Sequence, residues 1–143
     1  KEVADAEGAP MVTICSKVES EVQELPESER ADFLGSLGLT EPGLNKLMRA
    51  GYDLLGLITY FTAGETECRA WTIKVGTKAP GAAGVIHSDF YDKFIRAEVV
   101  HYDDLVSLGS KNAAKEAGKL RIEGKEYVVK DGDVIEFRFN VSK

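Results

Sequence analysis

Short apolar strands around a single helix rich in Ala and Gly, all within residues 69–141, narrow the possible folds more than any other feature of the sequence. Alternating residue character predicts a strand over residues 69–75, and β-branched runs predict strands over 94–100 and 134–141. The small residues at 80–87 predict a short helix between the first two of these strands. Strands wrapped around one helix predict an α+β roll of the β-grasp kind.

A hairpin is predicted within this roll. The runs 120–123 and 126–129 flank Gly124 and Lys125, a two-residue connection of the kind that closes β-hairpins. The remaining local predictions are one or two helical turns at 102–108 and at 111–117, a turn at Asp131 and Gly132, and a connector at 60–64.

The first part of the chain has a different pattern. Residues 11–15 (MVTIC) predict one buried strand, and helical patterns follow at 17–25, 28–36 and 40–58. A lone strand cannot satisfy its backbone groups or bury both of its faces. We therefore expect this strand to belong to a larger sheet whose other strands this sequence does not contain.

Composition and charge exclude some classes of protein. With 43% hydrophobic and 29% charged residues the chain is predicted to be globular, and no apolar run approaches the roughly 20 residues of a membrane helix. The acidic residues 1–10 do not resemble a secretory signal. Cys15 and Cys68 have no partners at metal-ligand spacing, which predicts no metal site, free thiols and a cytoplasmic location.

Charge is distributed unevenly along the chain. Residues 1–68 carry 5 Lys and Arg against 13 Asp and Glu, whereas residues 69–143 carry 13 against 11. The second part is therefore the better place for an anionic partner such as RNA.

Specific motifs resemble a known domain. Residues 76–89 and 129–135 resemble the TGS signature, a turn that leads into a helix ending Ile-His-Ser-Asp and a closing turn with its last strand. The surrounding segments narrow the resemblance to the YchF-type (Obg-like) ATPases, whose C-terminal part this chain resembles over nearly its whole length. These segments are residues 41–45, 59–64, 69–73, 94–99 and 113–119.

The resemblance implies an architecture. Residues 60–143 would be a β-grasp (ubiquitin-like) TGS domain, and residues 1–59 a mostly helical C-terminal remnant of a P-loop nucleotide-binding domain. It also places Cys15, Ser16 and Lys17 at the short loop that lines the base pocket in G-type proteins. Ser16-Lys17 matches the usual Ser-Ala-Lys form only in part, because Lys stands at its second position.

Missing motifs decide the expected activity. Phosphoryl transfer in this class needs a Gly-rich loop followed by Lys and Ser or Thr, and G-x-x-x-x-G-K-[ST] does not occur in the chain. The Asn-x-x-Glu motif that selects adenine in the family is also absent. We therefore expect no cofactor, no catalytic residue and no ATP hydrolysis in this chain alone, and the resemblance assigns ATP and Mg²⁺ to the parent protein.

Some chemistry-bearing side chains have two interpretations. His87, Ser88 and Asp89 are consecutive and cannot form a catalytic triad, so His87 is predicted to contact the last carbonyls of its helix, with ligand contact as the alternative. His101 is predicted to be structural or exposed. Aromatic residues with strand spacing are predicted to lie in the core, with RNA-base stacking as the alternative. These are Trp71, Phe90, Tyr91 and Phe94.

Two functions remain open from the sequence, and a small-ligand pocket in the TGS domain is a weaker third that no convergent polar residues support. The first is a ribosome- or RNA-docking part of a translation-associated ATPase, with no membrane and no DNA partner expected. The second is an interaction module that packs on the parent's nucleotide-binding domain, or on another protein, and controls nucleotide access. The candidate phosphate-contacting cations for the first function are Lys93, Arg96, Lys111, Lys115, Lys119, Arg121 and Lys125.

Overall fold

The computed structural model describes residues 1–64 and 66–140. The chain divides into two compact units, Lys1–Leu55 and Gly56–Lys143. Within the described ranges, no helix combines the length and the apolar character that crossing a membrane would require.

The first unit is helical. Its elements are α1 (Glu2–Glu7), α2 (Ser16–Glu24), α3 (Glu27–Ser36) and α4 (Gly43–Leu55). Val22 of α2 and Leu34 of α3 are its buried side chains. The Glu19 carboxylate accepts hydrogen bonds from the amides of Gly43 (2.7 Å) and Leu44 (3.4 Å). A carboxylate at a helix N-terminus satisfies amides that lack a partner within the helix, so Glu19 ties α2 to the start of α4.

The strand predicted at residues 11–15 does not form within this chain, and its place in a larger sheet stays a prediction. This segment forms no strand in the structure, and Met11 and Ile14 are 55% and 38% exposed. A β-branched run becomes a strand only when a neighbouring strand accepts and donates its backbone hydrogen bonds. No strand lies within Lys1–Leu55 to do so.

The second unit is built on a five-stranded sheet. The strands are β1 (Leu57–Ala63), β2 (Cys68–Lys74), β3 (Phe94–His101), β4 (Arg121–Glu123) and β5 (Asp133–Phe139), in the order β2-β1-β5-β3-β4. β1 pairs with β5 in parallel, and the other pairs are antiparallel. The helices are α5 (Ala79–Ile86), α6 (Ser88–Asp92), α7 (Tyr102–Leu108) and α8 (Lys111–Glu116). The predicted α+β fold of the β-grasp kind is confirmed.

The main core lies between the sheet and α5. Ala79, Ala82 and Ala83 are fully buried, and their small side chains let the helix lie close to the strands. The buried Tyr60 hydroxyl of β1 donates to the Ala82 carbonyl at 2.8 Å. Burial raises the pKa of Tyr60. The other buried members are Ile73, Phe94, Ala97, Val99, Val129, Ile135 and Phe137.

A second, smaller apolar cluster covers part of the opposite face of the sheet. Val100 of β3 and Val134 of β5 pack with Ala114 of α8. Phe61 and Leu105 close the cluster at its side. This cluster holds α8 against the sheet, and the rest of that face remains open.

The start of the sheet differs from the prediction. Residues 57–63 form β1, not the end of a helix followed by a connector. Gly56 has φ +61°, a conformation that stops a helix and that glycine adopts without strain. The apolar run beyond it then pairs with β2 along its whole length, from Leu57 opposite Lys74 to Ala63 opposite Cys68.

The predicted hairpin at 120–129 is also wrong. β4 forms, but it pairs with β3, and residues 126–129 are not its partner. Val128 instead forms an isolated bridge with Lys78, and the Val129 amide donates to the Thr77 carbonyl at 3.0 Å. The second run is thus bound to the segment that precedes α5, a long-range contact that outweighs the local turn signal.

Candidate functional site

Three of the predicted cations line one groove on the open face of the sheet. Arg96 lies on β3, and Lys111 and Lys115 lie one helical turn apart on α8. The Ser110 hydroxyl accepts the Ala113 amide at 3.1 Å and fixes the start of this helix. The groove has a volume of about 360 Å³. Its other lining residues are Glu98, Asn112, Leu120, Ile122 and Arg138.

Regular alternation with Glu98 places Arg96 on the groove side, and a register shift in β3 turns Phe94 into the core. Phe94 and Arg96 would share a face in a regular strand, because side chains alternate. The pairing of β3 with β5 shifts between these two residues, as in a β-bulge. Phe94 therefore stays in the core at 4% exposure, while Arg96 is exposed.

Two carboxylates neutralise half of the positive charge around the groove. The Lys111 ammonium donates to Glu98 at 2.7 Å and also contacts Glu136. Arg138 donates through Nε to Glu98 at 3.1 Å and pairs through Nη1 with Glu136 at 2.8 Å. Four cations and two carboxylates leave a net charge of +2.

These contacts shift the titration of the groups involved. The hydrogen bond from Lys111, and then that from Arg138, lowers the pKa of Glu98 to about 2. Burial acts to lower the pKa of Lys111, but its hydrogen bonds to Glu136 and Glu98 outweigh that effect and raise it. Glu98 is consequently ionised at neutral pH, and Lys111 is charged.

Arg96 and Lys115 are the open cations of the groove. Within the part of the chain that the structure describes, neither forms an ion pair or a side-chain hydrogen bond. An incoming anion can reach these two side chains without displacing a carboxylate. They are therefore the primary candidates for contact with a polyanion.

The structure does not bring the other four predicted cations to this groove. Lys93 lies near Asp89 (3.7 Å), and Lys119 pairs with Asp104 (3.2 Å). Lys125 lines a separate cavity of about 530 Å³ with Lys78 and Glu126. Arg121 is partly buried and interacts with Glu123, Tyr127 and Asp133. The fold therefore does not place all seven cations on one contact surface.

The two histidines act as helix caps. His87 Nδ1 accepts the amide of Asp89 (3.2 Å) at the start of α6, so the expected contact of its side chain with the carbonyls of α5 is wrong. His101 Nδ1 accepts the amide of Asp103 (3.3 Å) at the start of α7 in the same way. Both side chains satisfy amides that short helices leave without partners.

The aromatic residues lie mostly in the core, as predicted. Phe94 is buried, and Trp71 and Phe90 pack against the main cluster. Tyr91 is the exception, since it is 57% exposed. None of the four lines the groove.

Cys15, Ser16 and Lys17 lie at the start of α2. Cys15 precedes the helix with an extended backbone, and Lys17 pairs loosely with Glu21 at 3.8 Å. In a nucleotide site, the groups of these three residues would contact the base. The sequence lacks the Gly-rich loop that phosphates and Mg²⁺ need. Their role as a base loop stays a prediction. Among the described residues, no cluster of His, Cys, Asp or Glu fits a metal ion.

The sequence did not reveal two important groups. Arg138 lines the groove. The alternation of side chains along the last strand, which puts Glu136 and Arg138 on its outward face, is the sequence pattern that could have identified it. Asp133 is fully buried and accepts hydrogen bonds from the Tyr127 hydroxyl and the Lys130 amide, and no local pattern in the sequence indicates these contacts.

Comparison with known proteins places the chain in a family. The profile of the family YchF-GTPase_C, described as "Protein of unknown function (DUF933)", matches residues 57–140, more than half of the chain. The "Ribosome-binding ATPase YchF" of Bacillus subtilis is 60% identical over 141 residues, which are 99% of this chain and 38% of that protein. The protein of the same name from Haemophilus ducreyi is 57% identical over 141 residues, 99% of this chain and 39% of that protein.

A solved structure gives the same result. The Schizosaccharomyces pombe YchF GTPase matches with a TM-score of 0.79 at 40% identity, covering 92% of this chain and 34% of that one. This chain thus spans less than two fifths of the length of these relatives. The fold, the family profile and the sequence identities agree, and the chain belongs to the YchF C-terminal family.

Proposed function

We propose that this chain is the ribosome-docking part of a YchF-type P-loop ATPase. The names of the bacterial relatives, ribosome-binding ATPases, support this function. The observation that carries it is the groove with a net charge of +2 on an otherwise acidic chain. The parent protein would bind and hydrolyse ATP with Mg²⁺ in the cytoplasm, and this chain would supply no catalytic residue.

In this function the groove supplies electrostatic attraction, and the sheet supplies rigidity. Arg96 and Arg138 project from paired strands, and Lys115 projects from a helix that the Val100 cluster holds in place. Cations on rigid elements lose less conformational entropy on binding than cations on loops. Contacts of this kind determine where the protein docks on RNA, and they make the affinity dependent on salt.

Ribosome co-sedimentation tests the proposal. We expect the chain to sediment with ribosomes at low ionic strength, and the double variant Arg96→Glu/Lys115→Glu to lose most of that binding. The matched control is Lys74→Glu/Lys130→Glu, which reverses the same charge at two exposed lysines outside the groove. Absence of sedimentation by the unmodified chain would contradict the docking function. An equal loss of binding in both double variants would show that the groove is not the docking surface.

The structure also favours a second candidate, a module that packs on the parent's nucleotide-binding domain and controls nucleotide access. Apolar side chains of α4 are at least half exposed, which is unusual for a helix that has no partner. They include Leu44 (50%), Met48 (52%), Leu54 (70%) and Leu55 (66%). The test adds the chain in trans to the isolated nucleotide-binding domain and measures ATP turnover. A change in turnover that Leu54→Asp abolishes would support this function.

A further inference from the structure

A cavity of about 530 Å³ lies beside the start of α5 and shares no lining residue with the groove. Its volume falls within the range of about 300–1,000 Å³ that small-molecule sites occupy. The lining residues come from the start of α5, the end of α6 and the turn after β4, and they are Lys78, Pro80, Gly81, Tyr91, Asp92, Lys125 and Glu126. No local sequence pattern indicates this convergence, because Lys78 and Glu126 lie 48 positions apart.

Backbone contacts fix the walls of the cavity. The Ala79 amide donates to the Tyr127 carbonyl at 2.8 Å, which binds the start of α5 to the turn after β4. The Tyr127 amide closes this β-turn with a bond of 3.2 Å, so Lys125 and Glu126 occupy its two central positions. The Lys78 ammonium pairs with Glu126 at 2.6 Å across the same junction. A ligand therefore meets walls that are already formed, and little free energy is lost in ordering them.

Tyr91 on the cavity wall is an aromatic side chain that the core does not explain. It is 57% exposed and belongs to neither of the two apolar clusters described above. Its Cβ lies against the bare backbone of α5, since a Cβ added to Gly84 would be 3.1 Å from it. The ring of Tyr91 and the ring of Pro80 form the apolar part of the lining. Such a surface suits an aromatic or large aliphatic group.

Two charged side chains of the cavity are open to a ligand. Within the residues that the structure describes, neither Asp92 nor Lys125 forms an ion pair or a side-chain hydrogen bond. Asp92 ends α6, where the last carbonyls of a helix disfavour a carboxylate, so the stability of the helix does not explain its position. The cavity thus offers one negative and one positive group that do not pair with each other.

The balance of charge selects the class of ligand. Two lysines and two carboxylates line the cavity, so it carries no net charge. A polyphosphate would face both carboxylates, and a polyamine would face both ammonium groups. A small zwitterion instead pairs its carboxylate with Lys125 and its ammonium group with Asp92, and each of these charge-assisted hydrogen bonds replaces hydration that the groups lose.

From these features we infer that the cavity binds a free α-amino acid with an aromatic or large aliphatic side chain. Lys125 donates to the carboxylate, Asp92 accepts from the ammonium group, and the side chain lies against Tyr91 and Pro80. This amino-acid site is separate from the groove, and the docking function does not depend on it.

Titration with L-phenylalanine, followed by amide NMR of the isotope-labelled chain, tests the amino-acid site. We expect saturable shifts of the amide signals around the cavity. Two probes that each lack one charge should bind roughly three- to fivefold more weakly, because each loses one exposed ion pair. These probes are phenylpropionate, which has no ammonium group, and phenethylamine, which has no carboxylate.

Two variants assign each charge of the ligand to its partner. Asp92→Asn should weaken L-phenylalanine and phenethylamine about three- to fivefold without weakening phenylpropionate. Lys125→Gln should weaken L-phenylalanine and phenylpropionate by a similar factor without weakening phenethylamine. The matched control is Lys130→Gln, which removes the charge of another exposed lysine outside the cavity and should leave all three affinities unchanged.

Three outcomes would overturn the amino-acid site. Absence of shifts up to the solubility limit of L-phenylalanine would show that the cavity takes no amino acid. Larger shifts of the same signals with pyrophosphate would assign the cavity to an anion. Equal weakening by Lys125→Gln and Lys130→Gln would show that only the total charge of the chain matters. None of these results bears on ribosome sedimentation, which involves the groove.

Discussion

The Tyr127 hydroxyl donates a hydrogen bond of 2.7 Å to the carboxylate of Asp133, which is completely buried. The same carboxylate accepts the Lys130 amide at 2.9 Å and lies 3.3 Å from the Arg121 guanidinium. Burial, and then the bond to Asp133, raises the pKa of Tyr127 to about 12. Asp133 thereby connects the closing turn, the start of β4 and the start of β5.

Removal of this carboxylate is expected to destabilise the fold strongly. Asp133→Ala leaves the partly buried Tyr127 hydroxyl and the Lys130 amide without their acceptor and removes one of the three partners of Arg121, which costs about 3 kcal/mol of unfolding free energy. Tyr127→Phe removes one donor to Asp133 and one acceptor of Arg121, but the carboxylate keeps the Lys130 amide and Arg121, so it should cost only about 1 kcal/mol. Urea denaturation measures both values.

Asp131 provides the matched control for Asp133. It lies on the other side of Gly132 and accepts the Thr59 amide at 2.8 Å from an exposed position. Water can replace an exposed acceptor, so Asp131→Ala should cost less than about 1 kcal/mol. Equal losses for the two Asp variants would contradict the role given to burial.

A second prediction concerns Gly132 and His101. Gly132 has φ +78°, and a Cβ added there would lie 3.0 Å from His101 Nε2. Gly109 has nearly the same backbone conformation, φ +77°, with nothing within 4 Å of the added Cβ. Gly109→Ala should therefore cost roughly 1–2 kcal/mol from backbone strain alone. Gly132→Ala should cost about 1 kcal/mol more, because His101 must move.

A double-mutant cycle isolates the contact with His101. His101→Ala removes the cap of α7 in either background, so it should cost about 1 kcal/mol less in the Gly132→Ala background than in the Gly109→Ala background. Thermal unfolding of the unmodified chain, the three single variants and the two double variants provides the measurement. Additive effects of His101→Ala and Gly132→Ala would show that the predicted contact does not form.

Local sequence signals predicted the elements whose pattern depends on their own residues. The alternation along β2 and the alanines of α5 were sufficient, since each reflects one buried face. β1 was missed because its apolar run continues the pattern of α4, and only the positive φ of Gly56 separates the two. The hairpin at 120–129 failed because a contact with Thr77 and Lys78 decides where Val128 lies.

The candidate site was predictable in its residue types and not in its geometry. Arg96, Lys111 and Lys115 could be identified as cations, but their common groove depends on the register between β3 and β5. Compensation by Glu136 depends on the same register, since it lies 25 residues from Lys111 along the chain. Arg121 was expected at a surface, yet its partner Asp133 is buried, and no local pattern reveals that contact.

The ionised Glu98 predicts how stability depends on pH. Its pKa of about 2 in the folded chain lies below the ordinary value of 4.5, chiefly because Lys111 and then Arg138 donate to it. A lowered pKa contributes stability that is fully present above pH about 4.5 and is lost as the pH falls toward 2. Urea unfolding between about pH 6 and about pH 2.5 should therefore show a decline that Glu98→Gln reduces.

Glu116 is the control for this measurement. It is exposed on α8 and forms no ion pair in the described part of the chain. Glu116→Gln should leave the acid-induced loss of stability unchanged. An identical decline in the Glu98→Gln variant would mean that Lys111 and Arg138 do not hold this carboxylate ionised.

The last prediction concerns Glu136, whose carboxylate competes with an incoming phosphate. Its side chain is 42% exposed and contacts both Lys111 and Arg138, whereas that of Glu98 is 13% exposed. Glu136→Gln keeps the shape of the side chain and raises the net charge around the groove from +2 to +3. At low ionic strength the affinity for an RNA duplex should rise about three- to tenfold, with a steeper dependence on salt.

A charge-matched variant distinguishes local competition from a change in the total charge. Glu126→Gln also removes one carboxylate, which pairs with Lys78 at 2.6 Å outside the groove. If Glu136 competes for Arg138 and Lys111, its variant strengthens RNA binding far more than Glu126→Gln does, and Arg138→Ala removes the gain. Equal gains in the two variants would show that only the total charge matters and that neither cation is released to the phosphate.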